Sequence, residues 1–300
     1  MPLIAVIALV LTACGTSPGD PRASAGSGGK EVLKISAIPD QDPQELQRTY
    51  GALSKYLSKR LDVEVSYSNV SDYTASVTTF ARGDLHLVFF GGLTGVQARA
   101  KVPDAVPLAQ RDIDEEFRSV FIANQATGLE PVKDVAGLKS LAGHSFTFGS
   151  DVSTSGRVMP QHFLNEAGVS TEQFKGEPGY SDSHDATAAL VQAGTYQVGA
   201  LSSAVWDERV EAGKIDKKKV REIFRTPPYH DYHWLARPGL DEVFGDGFTE
   251  KLKGALLDLD GSDGEERKIL ELFTAGSFVE TEPGNYREIE AVARSLGLLN

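Results

Sequence analysis

The sequence is poor in cysteine and in long apolar runs. Its only cysteine is Cys14, so no disulfide can form within the chain. No uninterrupted apolar run reaches the ~18 to 20 residues that a membrane-spanning helix needs. Basic residues are outnumbered by acidic ones, 30 against 42, which gives a formal net charge of -12. Nucleic-acid binding needs Lys and Arg clustered on one surface, so this charge balance argues against it.

The single cysteine follows a short apolar segment, residues 3–11. The run Leu11-Thr12-Ala13-Cys14 has the pattern of a bacterial lipobox, in which the cysteine receives a lipid. We therefore predict a lipoprotein signal at residues 1–13, lipidation of Cys14, and a flexible tether, rich in Gly and Ser, at residues 14–30. No basic residue precedes Cys14, unlike most signal peptides, and an ordinary signal peptide stays the alternative.

The whole chain is 41% hydrophobic and 24% charged, the composition of a folded protein with enough apolar material for two cores. Periodicity predicts strands that alternate with helices, a pattern typical of α/β folds with ligands at the carboxyl edge of each sheet. The predicted strands are at 32–38, 63–67, 85–90, 144–149 and 196–201. The predicted helices are at 43–61, 73–82, 156–167 and 185–193, with further helices toward the C-terminus.

Two apolar strands, 118–123 and 220–224, are expected to connect two lobes. The chain would leave the first lobe at one strand and return after the other. We predict lobe 1 at residues 31–120 and 226–300, and lobe 2 at residues 121–225. Two crossings of this kind form a hinge that permits closure around a ligand.

Hydroxyl groups cluster between a predicted strand and a predicted helix, in Gly149-Ser150-Asp151-Val152-Ser153-Thr154-Ser155-Gly156. Backbone N–H groups at a helix start, with the positive end of the helix dipole, favour anions. Helix capping by Ser153 or Ser155 is the alternative. Because capping needs one hydroxyl only, three of them favour a ligand contact by Ser153, Thr154 and Ser155.

Four motifs in order resemble the phosphonate, phosphite and phosphate importer-binding family. The motifs are Arg118-Ser119-Val120-Phe121-Ile122, Ser153-Thr154-Ser155-Gly156, Ser183-His184-Asp185-Ala186 and Thr226-Pro227-Pro228. The resemblance covers about residues 32–299. It implies a two-lobed type II periplasmic-binding-protein fold, in which each lobe is a mixed, mostly parallel sheet flanked by helices, with a two-strand hinge. It also implies that Ser153, Thr154 and Ser155 bind the oxygens of an anion and that His184 donates to it.

The first lobe departs from the family pattern after the strand at 85–90. The family commonly has Gly-Pro and then a tyrosine, whereas this chain has Gly91-Gly92-Leu93-Thr94-Gly95. We expect the N–H groups of Gly92 and Leu93 and the hydroxyl of Thr94 to approach a small, bare oxyanion. Tyr73 and Asp40 are further candidates. The variant also resembles the branch of the family named for selenate binding.

The residues and the resemblance together predict a substrate-binding lipoprotein of an ABC importer. Its partners would be a small tetrahedral oxyanion of the selenate, phosphite, phosphate or phosphonate type and a transporter permease. We expect a monomer without nucleic acid, cofactor or metal, since His230 and His233 lack a third ligand. It would be anchored through Cys14 to the outer face of the cytoplasmic membrane, or be periplasmic.

Two other functions use the same cleft. An envelope lipoprotein that senses the anion is one alternative. The other is a serine hydrolase, with Ser153 or Ser155, His184 and Asp185 as nucleophilic triad. The sequence has no Gly-x-Ser-x-Gly elbow, and adjacent His and Asp on one helix are poorly placed to pair. We therefore predict that the protein is not an enzyme.

Overall fold

A computed structural model describes residues 31–299. The predicted signal, Cys14 and the tether lie outside the described residues. Within 31–299, no helix has both the length and the apolar character that crossing a membrane requires.

The described residues form eleven strands and ten α-helices. The strands are β1 (Val32–Ala37), β2 (Glu64–Tyr67), β3 (Leu87–Phe90), β4 (Val106–Arg111), β5 (Ser119–Asn124), β6 (Phe146–Phe148), β7 (Gly179–Tyr180), β8 (Val198–Ser202), β9 (Val220–Arg225), β10 (His233–Ala236) and β11 (Phe278–Val279). The helices are α1 (Pro43–Leu61), α2 (Tyr73–Arg82), α3 (Gly92–Lys101), α4 (Met159–Glu166), α5 (His184–Ala193), α6 (Ser203–Glu211), α7 (Leu240–Phe244), α8 (Phe248–Leu257), α9 (Gly264–Leu272) and α10 (Arg287–Ser295).

The strands form two separate sheets. One has the order β11-β4-β10-β3-β1-β2 and the other the order β7-β6-β8-β5-β9. Helices flank both sheets, so the type II periplasmic-binding fold is confirmed. Parallel pairing is confined to β1 with β2 and β3, and to β6 with β7 and β8. The other pairs are antiparallel, a larger share than a mostly parallel sheet predicts, since β10 and β5 enter their sheets after a crossing from the other lobe.

Two segments, 112–118 and 226–232, connect the sheets. They pair with each other through an antiparallel bridge, in which Phe117 and Tyr229 exchange two N–H···O=C bonds of 2.9 Å. The predicted boundary between residues 120 and 121 falls inside β5, all of which pairs in the second sheet. The predicted return at residue 226 directly follows β9.

A buried ion pair anchors one end of this hinge. Arg111 Nε lies 2.7 Å from Asp114 Oδ2, and the guanidinium is stacked among the rings of Phe89, Phe117 and Tyr232 at 4.9–5.8 Å. Cation–π contact and an ion pair together compensate for removing the charge from water. The aromatic rings thus fix where the hinge leaves the first sheet.

Helix starts in both lobes agree with the sequence pattern to within a few residues. Helix α1 begins at Pro43, where the missing N–H costs nothing, and Asp42 caps it by accepting a hydrogen bond from the Gln44 N–H. The helix expected at 156–167 begins instead with a π-helical turn, Thr154–Val158, before α4. Single π turns occur mainly at functional sites, and this one contains the hydroxyl cluster.

Candidate ligand-binding site

The N-terminus of α3 approaches the second lobe closely. A Cβ at Gly92 would lie 2.4 Å from Ile289 Cδ1 in α10 of the same lobe and 3.5 Å from Thr154 Cγ2 of the second lobe. The Leu93 N–H donates to Thr154 Oγ1 at 2.9 Å, directly across the gap between the lobes. The N–H groups in the first turn of a helix have no partner within that helix. Here the Leu93 N–H is satisfied by a hydroxyl group of the opposite lobe. The side chain of Leu93 is fully buried, and its N–H, which was expected to approach the anion, is bonded to Thr154.

The hydroxyl cluster caps the helix and also contacts α3 and His184. Ser153 Oγ accepts a hydrogen bond from the Gly156 N–H at 3.0 Å, which is the capping role that the sequence left as the alternative. Thr154 makes the contact with α3. Ser155 Oγ lies 3.5 Å from His184 Nε2. All three side chains are buried, at 1–3% exposure.

His184 begins α5 and is fully buried. Its Nδ1 accepts a hydrogen bond from the Ser202 N–H at 3.3 Å, and burial lowers the pKa of the ring to about 3. A neutral imidazole that accepts at Nδ1 carries its proton on Nε2. His184 is therefore a neutral donor whose Nε2–H faces Ser155 and, at 3.2 Å, the Tyr232 hydroxyl.

Tyr232 connects His184 to Asp40 of the first lobe. The phenol donates to Asp40 Oδ2 at 2.8 Å, and the Asp40 carbonyl accepts from the His184 N–H at 2.9 Å. Burial raises the pKa of Asp40 to about 6, although the Tyr232 hydrogen bond and Arg111 oppose the shift. Tyr232 thus links the Asp40 carboxyl group to His184.

Tyr73 and Thr94 are both buried, but their hydroxyl groups differ in hydrogen bonding. Burial raises the pKa of Tyr73 well above its usual value. The Ser153 side chain lies near enough to oppose the shift, but no group among residues 31–299 forms a hydrogen bond of good geometry with the Tyr73 hydroxyl. A buried polar atom without a partner is costly unless a ligand or water satisfies it. The Thr94 hydroxyl donates to the Gly91 carbonyl at 3.0 Å, so its proton is already used within α3.

Asp231 lies in the connecting segment before β10 and was not a candidate site residue in the sequence analysis. Its Oδ1 accepts a hydrogen bond from the Gly92 N–H at 2.8 Å, and the residue is fully buried. The N–H that was expected to bind an anion is thus held by a carboxylate. The residues around Asp231 in the sequence did not indicate this role, because the hydrogen bond joins residues 139 positions apart.

Other residues that the sequence did not single out complete the site. Ser119 Oγ donates to the Ser155 carbonyl at 2.8 Å and contacts the Tyr229 hydroxyl at 2.6 Å, which ties the hydroxyl cluster to the hinge. Tyr232 and the Ser202 N–H act on His184, as described above. The motif that contains Ser119 was visible in the sequence, but the partners of Ser119 and Tyr232 come from distant segments.

The geometry does not form a nucleophilic triad. Asp185 pairs with Arg209 and accepts the Asp42 N–H at 2.8 Å, so it does not contact the His184 ring. With Nδ1 accepting from Ser202, the His184 Nε2 already carries a proton and cannot take one from Ser155. The arrangement can donate hydrogen bonds to a ligand but cannot generate a serine nucleophile.

Comparisons with known proteins agree with this geometry. The family model described as "ABC transporter, phosphonate, periplasmic substrate-binding protein" matches residues 35–286. The chain is 46% identical over 267 residues to a probable ABC transporter phosphite binding protein, PhnD1, of Prochlorococcus marinus (strain MIT 9301), which covers 89% of this chain and 90% of that protein. It is 26% identical over 231 residues to the phosphate-import protein PhnD of Mycolicibacterium smegmatis, covering 74% of this chain and 71% of the relative.

Solved structures give the same result. The crystal structure of Prochlorococcus marinus PhnD1 in complex with methylphosphonate superimposes with a TM-score of 0.88 at 46% identity, covering 90% of this chain and all of that one. The binding component of a phosphonate ABC transporter from Pseudomonas aeruginosa shares the fold with a TM-score of 0.76 at 17% identity, covering 88% of this chain and 86% of that one. The homologues are solute-binding proteins and not enzymes, as the sequence predicted. The chain belongs to the family of periplasmic substrate-binding proteins of phosphonate ABC transporters, which work in the cell envelope with a small-molecule ligand and a permease as partners.

Proposed function

We propose that the protein is a substrate-binding lipoprotein that captures a small tetrahedral oxyanion between its lobes for an ABC importer. The supporting observation is that polar groups of the two lobes meet at one buried place, where the Leu93 N–H donates to Thr154 Oγ1 at 2.9 Å. The relative named for phosphite binding, and its structure with methylphosphonate, favour a phosphorus oxyanion over the selenate of the resembling branch.

Neutral donors suit an anion that must be released later. Ser153, Thr154 and Ser155, the Nε2–H of His184 and the unpartnered Tyr73 hydroxyl can each give one hydrogen bond. Hydrogen bonds to a charged group contribute about 1.5–3 kcal/mol each, so a few of them hold a small anion without a full positive charge. The closed form is favoured because only there do both sets of donors reach the ligand.

Titration calorimetry with a panel of anions tests the proposal. Phosphite, methylphosphonate, phosphate, sulfate and selenate should be compared on the same protein. We expect the phosphorus oxyanions to bind, and the double substitution of Ser155→Ala with His184→Ala to abolish binding. Ser140→Ala is the matched control, since Ser140 lies exposed on the second lobe and donates only to the Gly137 carbonyl. The proposal is wrong if no anion of the panel binds the unaltered protein.

The lipid anchor is a separate part of the proposal. It rests on the sequence Leu11-Thr12-Ala13-Cys14 alone. We expect Cys14→Ala to move the protein from the membrane fraction to the soluble envelope fraction of cells. Retention of the variant in the membrane fraction would contradict lipidation at Cys14 without affecting the proposed ligand class.

A further inference from the structure

Two helix starts from opposite lobes supply each other with hydrogen-bond partners. The His184 N–H, at the start of α5, donates to the Asp40 carbonyl at 2.9 Å, and the Asp42 N–H, at the start of α1, donates to Asp185 Oδ2 at 2.8 Å. N–H groups at a helix start have no partner within their own helix. Each helix therefore takes one partner from the opposite lobe, and both hydrogen bonds break when the lobes separate.

Both oxygens of the Asp185 carboxylate are used by hydrogen bonds within the protein. Its Oδ1 pairs with Arg209 of α6, and its Oδ2 accepts the Asp42 N–H. The carboxylate lies in the first turn of α5 and at the N-cap of α1, so it faces the positive ends of two helix dipoles, one from each lobe. The Asp185 side chain is 16% exposed, so water and salt screen these interactions only weakly. Separation of the lobes removes the α1 partner and leaves Arg209 in place.

An ion pair joins the lobes beside these helix starts. Lys214, in the segment after α6, pairs with Glu45 in the first turn of α1. Burial raises the pKa of Glu208 in α6, Glu45 raises it further, and Lys214 opposes the shift. Lys214 thus offsets a repulsion between carboxylates of the two lobes that arises only when the lobes close. In the open form Glu45 keeps one cation, Arg48, at 3.9 Å in its own helix.

These contacts join the lobes without using any of the donors assigned to the anion. We propose that Asp185 and the Glu45–Lys214 pair, here called the rim contacts, determine anion affinity by stabilising the closed form without touching the anion. This inference rests on the proposed function. The free energy of the rim contacts is gained only on closure, so it adds to that of the hydrogen bonds to the ligand and slows the opening that releases it.

Phosphite titration calorimetry, with phosphite release followed by tryptophan fluorescence in a stopped-flow instrument, tests the inference. Asp185→Ala removes a hydrogen bond between a carboxylate and the Asp42 N–H, so the dissociation constant should rise about tenfold. Lys214→Met removes a partly exposed ion pair, and a rise of about two- to fivefold is expected. In both variants the change should lie mainly in a faster release of phosphite.

Two controls remove the same kinds of charge from pairs that do not bridge the lobes. Asp207→Ala breaks the pair with Arg225 inside the second lobe. Lys59→Met breaks the pair with Glu265 inside the first lobe. Because neither pair changes on closure, both controls should keep the dissociation constant and the release rate within about twofold of the unaltered protein.

A reversal of the ion pair separates an effect on closure from a merely structural one. Lys214→Glu alone places a third carboxylate near Glu45 and Glu208 and should weaken phosphite binding more than Lys214→Met does. The double variant of Glu45→Lys with Lys214→Glu restores attraction between the lobes, so it should bind phosphite more tightly than Lys214→Glu alone. A structural role of either residue by itself would not produce this recovery.

The outcomes distinguish this inference from the function on which it rests. Unchanged phosphite release in Asp185→Ala or in Lys214→Met would overturn the inference for that contact, and a double variant no tighter than Lys214→Glu alone would overturn it for the ion pair. Lys214 is exposed, so its variants decide the question even if Asp185→Ala does not fold. Each of these results leaves anion binding by the unaltered protein standing, whereas absence of phosphite binding overturns the proposed function and this inference with it.

Discussion

Thr154→Val removes one hydroxyl from the contact between the lobes and little else. Thr154 is 3% exposed, and its Oγ1 accepts the Leu93 N–H at 2.9 Å. Valine keeps the shape of the side chain, including the methyl group that would contact a Cβ at Gly92 at 3.5 Å. The closed form then contains a buried N–H without a partner, whereas in an open form water satisfies the same N–H.

The substitution destabilises only the closed form of the protein. Leaving a buried donor unsatisfied costs about 1–3 kcal/mol, and any hydrogen bond from the Thr154 hydroxyl to the ligand would add to it. Because ligand binding requires closure, the dissociation constant for phosphite should rise about 5- to 150-fold. The free energy of unfolding without ligand should change much less, since the ligand-free protein can open.

Calorimetric titration and urea unfolding together test this reasoning. Thr187→Val is the matched control: Thr187 is equally buried, but its hydroxyl contacts Ser181 at 2.6 Å within the second lobe. The control should lower the free energy of unfolding and leave the dissociation constant nearly unchanged. A Thr154→Val protein that binds phosphite within twofold of the original affinity would refute the role of this contact in closure.

Further predictions follow from burial and protonation. His184 should stay neutral with its proton on Nε2 from about pH 8 to 5, because burial lowers its pKa to about 3; nitrogen NMR of the ring would show this, and titration near pH 6.5 would contradict it. Gly95→Ala should lower the free energy of unfolding in urea by about 1–3 kcal/mol, since its Cβ would lie 2.2 Å from His233 Cε1. Gly254→Ala in α8, with nothing within 4 Å, should instead be neutral or stabilising; equal effects would contradict the packing argument. The folded state raises the pKa of Asp231 from 3.8 to about 7, so ionisation of this group costs stability as pH rises across that range. Asp231→Asn should therefore gain stability relative to the unaltered protein between about pH 4 and 7, and a constant difference would show that the group does not titrate there.

Local signals in the sequence predicted the first two helices of the chain correctly. Apolar spacing and Pro43 predicted a helix at 43–61, and α1 has those bounds. The same periodicity predicted α2 at 73–82. Both helices have one buried face, and the apolar residues that form it recur in the sequence with the 3.6-residue period of a helix.

Strand β10 was not predicted, although it lies in the middle of the first sheet. It has four residues, His233–Ala236, all buried, and so shows no alternation of polar and apolar positions. A short strand buried on both faces cannot be told from a helix segment by periodicity. Its place between β3 and β4 depends on the chain returning from the second lobe.

The site shows the same division between local and distant information. The sequence by itself determined that hydroxyls and amides cluster at two helix starts, because capping and turn residues interact with backbone groups only a few positions away. Only the tertiary structure decided that Leu93 meets Thr154, that Tyr232 joins His184 to Asp40, and that a carboxylate, Asp231, holds the Gly92 N–H. Those contacts join segments 48 to 192 residues apart, and they form because two lobes and their hinge bring remote side chains into one buried gap where each polar atom needs a partner.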